Sequence, residues 1–117
     1  MIQVTPKDKI FVASTAVDFR CGIDTLVGQV KSAFREDPFS GAFFCFANRT
    51  ATAFKILVYD KQGFWLFHKR FSKGKMPWWP KFNGSHGPLD PKNFILLIYG
   101  GEGGGRIRFK ENWRDEE

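Results

Sequence analysis

Apolar residues at Ile23, Leu26, Val27, Val30, Ala33 and Phe34 recur at steps of three and four, and Asp24, Thr25, Gln29, Lys31, Ser32 and Arg35 fill the positions between them. That period belongs to a helix with a single apolar stripe. Gly22 is suited to cap its start, and Asp24 sits near the positive end of the helix dipole. Pro38 stops it, because the residue before a proline avoids the helical region. The spacing predicts a helix over residues 22–35 that buries Ile23, Leu26, Val27, Val30 and Phe34 against a sheet.

Elsewhere the apolar runs are shorter and strand-like. Residues 10–16 (IFVASTA) form one, and residues 42–47 (AFFCFA) another, bounded by Ser40-Gly41 and Asn48-Arg49. Residues 54–59 (FKILVY) lead into Asp60-Lys61-Gln62-Gly63, a turn with Asp first and Gly last, and residues 64–71 (FWLFHKRF) return antiparallel. The stretch 73–88 is irregular, rich in Gly, Pro and Trp. Asp90 then serves as an N-cap with Pro91 at the first helical position, and Gly100-Gly101 close the segment. Residues 91–99 read as a short helix, although a buried strand fits the same residues. A Gly-rich turn precedes a candidate last strand at 106–110 (RIRFK) and an acidic end. The pattern predicts one α+β domain: an antiparallel sheet of about four strands, a long amphipathic helix on one face and a short C-terminal helix. Its core spans about residues 10–100, with a Gly-rich loop and acidic tail over 101–117.

Composition agrees with a packed core. The 117 residues match a common domain size, and 43% are hydrophobic, with fourteen Phe and four Trp, which sets the chain apart from disordered sequences. Cys21 and Cys45 are too few for a disulfide framework and lack the paired spacing of a zinc site. The apolar run at residues 94–99, which no other exceeds, falls far short of the roughly 20 residues of a spanning helix. No basic start followed by a long apolar run succeeds Met1. A soluble, cytoplasmic protein with no membrane partner is expected.

Charge changes the picture more. The net charge is +6, but residues 38–89 carry eight Lys or Arg against the single Asp60, a local charge of +7. The acids gather towards the ends, finishing in Asp115-Glu116-Glu117. A one-sign block inside a folded domain points to an anionic partner, although a solvated basic surface has the same composition. Within the block, Lys69-Arg70, Lys73 and Lys75 lie on and just past the hairpin, and Met76-Pro77-Trp78-Trp79-Pro80 follows. Cations tracking phosphates beside rings that stack on bases are what single-strand binding uses. The alternative is that Trp78 and Trp79 fold back to cap the core. The candidate nucleic-acid-binding residues are therefore Arg49, Lys55, Lys69, Arg70, Lys73, Lys75, Trp78 and Trp79. Strand alternation sends Lys69 and Arg70 to opposite faces.

Catalytic patterns are missing. His68 and His86 have no His or Cys at coordinating intervals, and Cys21 or Cys45 would need a histidine brought close by the fold to act as a nucleophile. Gly100, Gly101, Gly103, Gly104 and Gly105 fit neither the P-loop nor the dinucleotide fingerprint. Asp60 is explained as a turn residue and Asp24 by the helix dipole, so with Asp18 they make no convincing acidic triad. A protein that is not an enzyme, with no cofactor, metal or small-molecule substrate, is expected.

One ordered set of motifs carries a family resemblance. Asp18-Phe19-Arg20-Cys21-Gly22-Ile23-Asp24 has the form Asp-x-Arg-x-Gly-x-Asp. It is followed by Asp37-Pro38-Phe39-Ser40-Gly41, by Phe44-Cys45-Phe46-Ala47-Asn48-Arg49, and by Lys55-Ile56-Leu57-Val58-Tyr59-Asp60. Gly63, Leu66, Lys69-Arg70, Gly74 and Trp79-Pro80 complete it. This order resembles the TnpB-type accessory proteins, second open-reading-frame products of the insertion-sequence-66 transposon family, over about residues 10–80, with a weaker likeness at 89–100. Cys21 stands where that pattern usually has a basic residue, and the Gly-rich segment after 101 is unusually long. The resemblance implies a protein needed alongside a separate transposase for DNA transposition. Its expected partners are transposon DNA and that transposase, with a protein–protein adaptor that contacts no nucleic acid as the alternative role.

Overall fold

The computed structural model describes residues 8–99, so the candidate strand at 106–110, the Gly-rich loop and the acidic tail lie outside the described residues. In chain order the elements are β1 (Ile10–Ala13), α1 (Ile23–Gln29), β2 (Phe43–Ala47), β3 (Ala53–Tyr59), β4 (Phe64–Arg70), β5 (His86–Pro88) and α2 (Pro91–Tyr99). The end of α1 passes without a break into a wider π-helical stretch, Val30–Phe34. The five strands form one sheet in the order β4-β3-β2-β1-β5.

The hairpin forms where the turn chemistry predicts it. Strands β3 and β4 pair residue for residue from Tyr59↔Phe64 to Ala53↔Arg70. Asp60 holds the turn: its Oδ1 accepts from the backbone of Gln62 (2.9 Å) and Gly63 (3.0 Å), and its Oδ2 from Trp65 Nε1 (2.7 Å).

Two expectations about the sheet are corrected. It has five strands and is mixed, because β1 runs parallel to β2 while the other neighbours are antiparallel. A helix lies between β1 and β2 in the chain, and such a crossover returns the chain to the same end of the sheet. Alternation along a single strand carries no information about its direction. Strand β5 is only His-Gly-Pro, too short to display a period.

Both faces of the sheet are covered, not one. Leu26, Val30 and Phe34 pack on Phe44, Phe46 and Leu57, with Ile23 and Val27 half-buried beside them. On the other face Phe94, Leu97 and Ile98 of α2, with Met76, pack on Ile10, Val12, Phe43, Cys45, Phe54 and Ile56. All five residues of β2 are buried, which is why its sequence runs apolar without alternation. Residues 91–99 are thus a helix covering the second face.

The long helix over residues 22–35 is likewise modified. Only seven residues are α-helical before the π-helical stretch begins. There Ser32 Oγ bonds the Gly28 carbonyl (2.8 Å), a side chain entering the backbone ladder. Arg35 closes the stretch in the left-handed conformation (φ 56°), and Glu36 N donates back to Val30 O (3.1 Å). Phe34 stacks on Phe46 (5.7 Å) and on His86 (4.5 Å), whose Nε2 lies 3.0 Å from Glu36 Oε2. The second face likewise protects Cys45, which is almost completely buried, and burial pushes its thiol far above the ordinary range. Cys45 is expected to resist Ellman's reagent in the native protein and to react only on unfolding. Rapid native labelling at Cys45 would contradict this packing. No described helix is long and apolar enough to cross a membrane.

Candidate nucleic-acid interface

Because β1 and β2 are parallel, their carboxyl ends emerge together, beside the start of β3 and the end of β4. Three connections meet at this end of the sheet: residues 14–22, 48–52 and 71–76. Crevices outside the carboxyl ends of parallel strands are the usual ligand position in open α/β sheets.

The 48–52 turn is built on one side chain. Asn48 Oδ1 accepts from the backbone of Thr52 (2.9 Å) and Ala53 (3.2 Å), while its Nδ2 donates to Thr52 Oγ1 (2.9 Å). Ala51 takes the left-handed conformation (φ 60°) and donates to Asn48 O (3.2 Å). This leaves Arg49 and Thr50 exposed at the tip. Arg49 makes no hydrogen bond or close ion pair with another described residue.

The other two connections are tied to this turn. Val17 N donates to Ala47 O (2.9 Å), which fixes the 14–22 connection. Phe71 N donates to Thr52 O (2.8 Å) and Met76 N to Ala51 O (2.8 Å), so residues 72–75 bulge out from the turn that carries Arg49. Arg70, Lys73 and Lys75 are exposed there.

A groove of about 760 Å³ runs between the first two connections, lined by Ala16, Val17, Asp18, Phe19, Arg20, Asn48, Arg49 and Thr50. Arg20 grips Asp18 through Nε (3.1 and 3.0 Å) and Nη2 (2.6 Å), and its backbone N also donates to Asp18 Oδ1 (2.9 Å). Those bonds, with the charge of Arg49 adding to them, hold the Asp18 carboxyl down at about 2. Asp18 is therefore ionised at neutral pH and is already matched by Arg20. Arg49 adds a positive charge to the lining, and no carboxylate of the described residues forms an ion pair with it.

Lys55 is elsewhere than an exposed patch requires. It is 6% exposed, under the 14–22 connection, and its ammonium donates to the carbonyls of Phe19 (3.0 Å) and Cys21 (2.8 Å). The same group lies 4.8 Å from the Phe19 ring centre. Lys55 therefore supports the groove wall from beneath. Lys69 points to the α2 face, where its Nζ donates to Ile98 O (2.6 Å) at the negative end of α2. Trp78 and Trp79 are half-buried against the second core, and Trp79 Nε1 donates to Ala13 O (2.9 Å). Of the eight residues singled out from the sequence, the fold thus brings together Arg49, Arg70, Lys73 and Lys75. It withdraws Lys55, places Lys69 on the other face and tucks both tryptophans onto the core.

Arg20 joins this end without having been singled out for binding. Its signal was the Asp18-x-Arg20 spacing, which brings the two side chains within reach of each other. Among the described residues, no group of three or more His, Cys, Asp or Glu is placed to hold a metal ion.

A family model described as "IS66 Orf2 like protein" matches residues 8–103. The chain belongs to the IS66 Orf2-like family. That makes it an insertion-sequence accessory protein, the context that its Asp-x-Arg-x-Gly-x-Asp motif and the motifs after it implied. It is 34% identical over 93 residues to the uncharacterized protein y4jC of Sinorhizobium fredii, covering 79% of this chain and 78% of the relative. It is 29% identical over 92 residues to the uncharacterized protein y4hO of the same organism, covering 79% of each. No solved structure matches. In this IS66 Orf2-like chain the matched segment contains all of the described sheet and the three connections at its basic end.

Proposed function

We propose that this IS66 Orf2-like protein is a non-catalytic, cytoplasmic accessory factor that acts beside the transposase by gripping the backbone of transposon DNA. The supporting observation is the pair of bonds from Phe71 to Thr52 and from Met76 to Ala51. They hold the loop of Lys73 and Lys75 against the turn of Arg49, with Arg70 at the adjoining strand end. Four exposed cations from two connections and a strand end thereby share one end of the sheet, and a duplex backbone is the densest polyanion such a patch can meet. The packing of Trp78 and Trp79 onto the core favours phosphate contacts over base stacking.

Anisotropy titrations with a fragment from the end of the element, repeated over a salt series, test this reading. Affinity should fall steeply as salt rises. Replacing Arg49, Arg70, Lys73 and Lys75 together with Gln should leave stability nearly unchanged, because exposed charges contribute little to it. The slope of log affinity against log salt should shrink by about one for each phosphate deprived of its cation. An unchanged slope would reduce the patch to a solvated surface. If the protein retained no DNA at low salt yet captured the transposase, the adaptor role would replace this one.

A further inference from the structure

The exposed large apolar side chains of the described residues are Phe39, Trp65, Ile95 and Tyr99, and Trp65 lies on an edge strand. Strand β4 is the outermost strand on its side of the sheet, and no other described strand covers its outer backbone. On the α2 face, Trp65 stacks on Phe67 (5.9 Å), with Lys69 next in alternation. Tyr99 lies beside Lys69 (6.0 Å from Nζ to the ring centre), and Ile95 shares its helix face one turn earlier. Trp65 and Phe67 thus form an apolar strip along the sheet edge, which Lys69 links to the helix face of Ile95 and Tyr99.

Natural edges are usually blunted by proline, a bulge, brevity or an outward charge. Strand β4 is seven residues long, has neither Pro nor Gly, and pairs with β3 without a bulge. Its first four residues, Phe-Trp-Leu-Phe, carry no charge, and Lys69 is drawn back towards the Ile98 carbonyl.

We infer that β4 pairs antiparallel with β4 of a second copy of this chain across a twofold axis at Phe67, making a continuous ten-stranded sheet. The charge pattern of the strand selects this occupant and direction. The aromatic half has Asp60 bonded to Trp65, and the other half is His68-Lys69-Arg70. Parallel pairing would set Lys69 against Lys69 and Arg70 against Arg70, and like charges directly opposite are destabilising. Antiparallel pairing about Phe67 sets each Trp65 against Lys69 of the other copy, with Asp60 close behind, and keeps the cationic ends apart. An isologous contact of this kind closes on itself and consumes the β4 edge of both copies, leaving only the three-residue β5 at either end.

Sedimentation equilibrium of the full chain over a wide concentration range tests the inference. A reversible dimer is expected. Trp65→Lys with Ile95→Lys should weaken its association more than about tenfold, since each charge would be buried opposite an apolar or cationic neighbour. The far-ultraviolet circular dichroism should not change, because both side chains face outward. Trp65→Phe should keep the dimer. Phe67→Cys should give a disulfide-linked dimer on mild oxidation, because the axis places the two copies of that residue opposite each other. A chain that stays monomeric at every concentration overturns the proposal, as does a dimer untouched by the paired lysines. A monomer whose capture of the transposase is lost in the paired-lysine variant would also overturn it, assigning the strip to that partner.

Discussion

Lys55→Met is expected to lower the unfolding free energy by about 3 kcal/mol, since each of two hydrogen bonds from a charged donor is worth roughly 1.5–3 kcal/mol and methionine replaces neither. Methionine keeps the apolar stem in place on β3, so the loss is confined to the ammonium. The carbonyls of Phe19 and Cys21 would then face a thioether under the 14–22 connection. Urea denaturation measures the effect, with a lower midpoint and an unchanged slope. The same variant separates two roles that the residue type alone leaves open. If Lys55 contacted phosphate, stability would barely change and the salt slope of DNA binding would drop by about one. A buried support gives the reverse: a large stability loss and an intact slope in the folded protein.

Phe94→Ala should be the most damaging single truncation on the other face. Phe94 is fully buried and lies against Phe43, with ring centres 5.5 Å apart. A buried Phe→Ala change costs about 3–5 kcal/mol, combining lost transfer energy with the cavity left behind. Helix α2 has nine residues, too few for stability in isolation, so its attachment depends on Phe94, Leu97 and Ile98. At roughly 4–8 °C per kcal/mol for a domain of this size, the melting temperature should fall by well over 10 °C. A loss below about 1 kcal/mol would mean that the second face is held mainly by the irregular 71–89 stretch instead.

What was legible in the sequence was what is local. The stripe from Ile23 to Phe34 announced a helix because its period is written in consecutive turns. Asp60 and Gly63 announced the hairpin because their side-chain and backbone needs are met within four residues. The parallel partnership of β1 with β2 was not legible, because strand direction depends on a distant neighbour. Residues 42–47 looked like a strand but not like one covered on both sides, since a run of Phe and Ala fits either environment. At the basic end, the exposed set of Arg49, Arg70, Lys73 and Lys75 was visible as charge. The burial of Lys55 was not, because a lysine within an apolar run reads as an outward residue until the carbonyls above it are known. That Arg20 and Arg49 line one groove likewise requires the fold, as they come from two connections on either side of α1 and β2.

The place of β1 in the sheet has a consequence for how the chain reaches its native state. Strands β2, β3 and β4 are joined by short turns, so they can close as a meander as soon as they leave the ribosome. Of the described strands β1 is made first, yet it lies between β2 and β5, and its pairing with β5 joins Phe11 to Pro88 from opposite ends of the described chain. Until residue 88 is synthesised, one side of this apolar N-terminal strand has no partner. Such distant pairings slow folding and prolong the exposure of apolar surface during synthesis. Production from its own element therefore sets a kinetic demand on this small protein: its oldest strand is among the last to be enclosed.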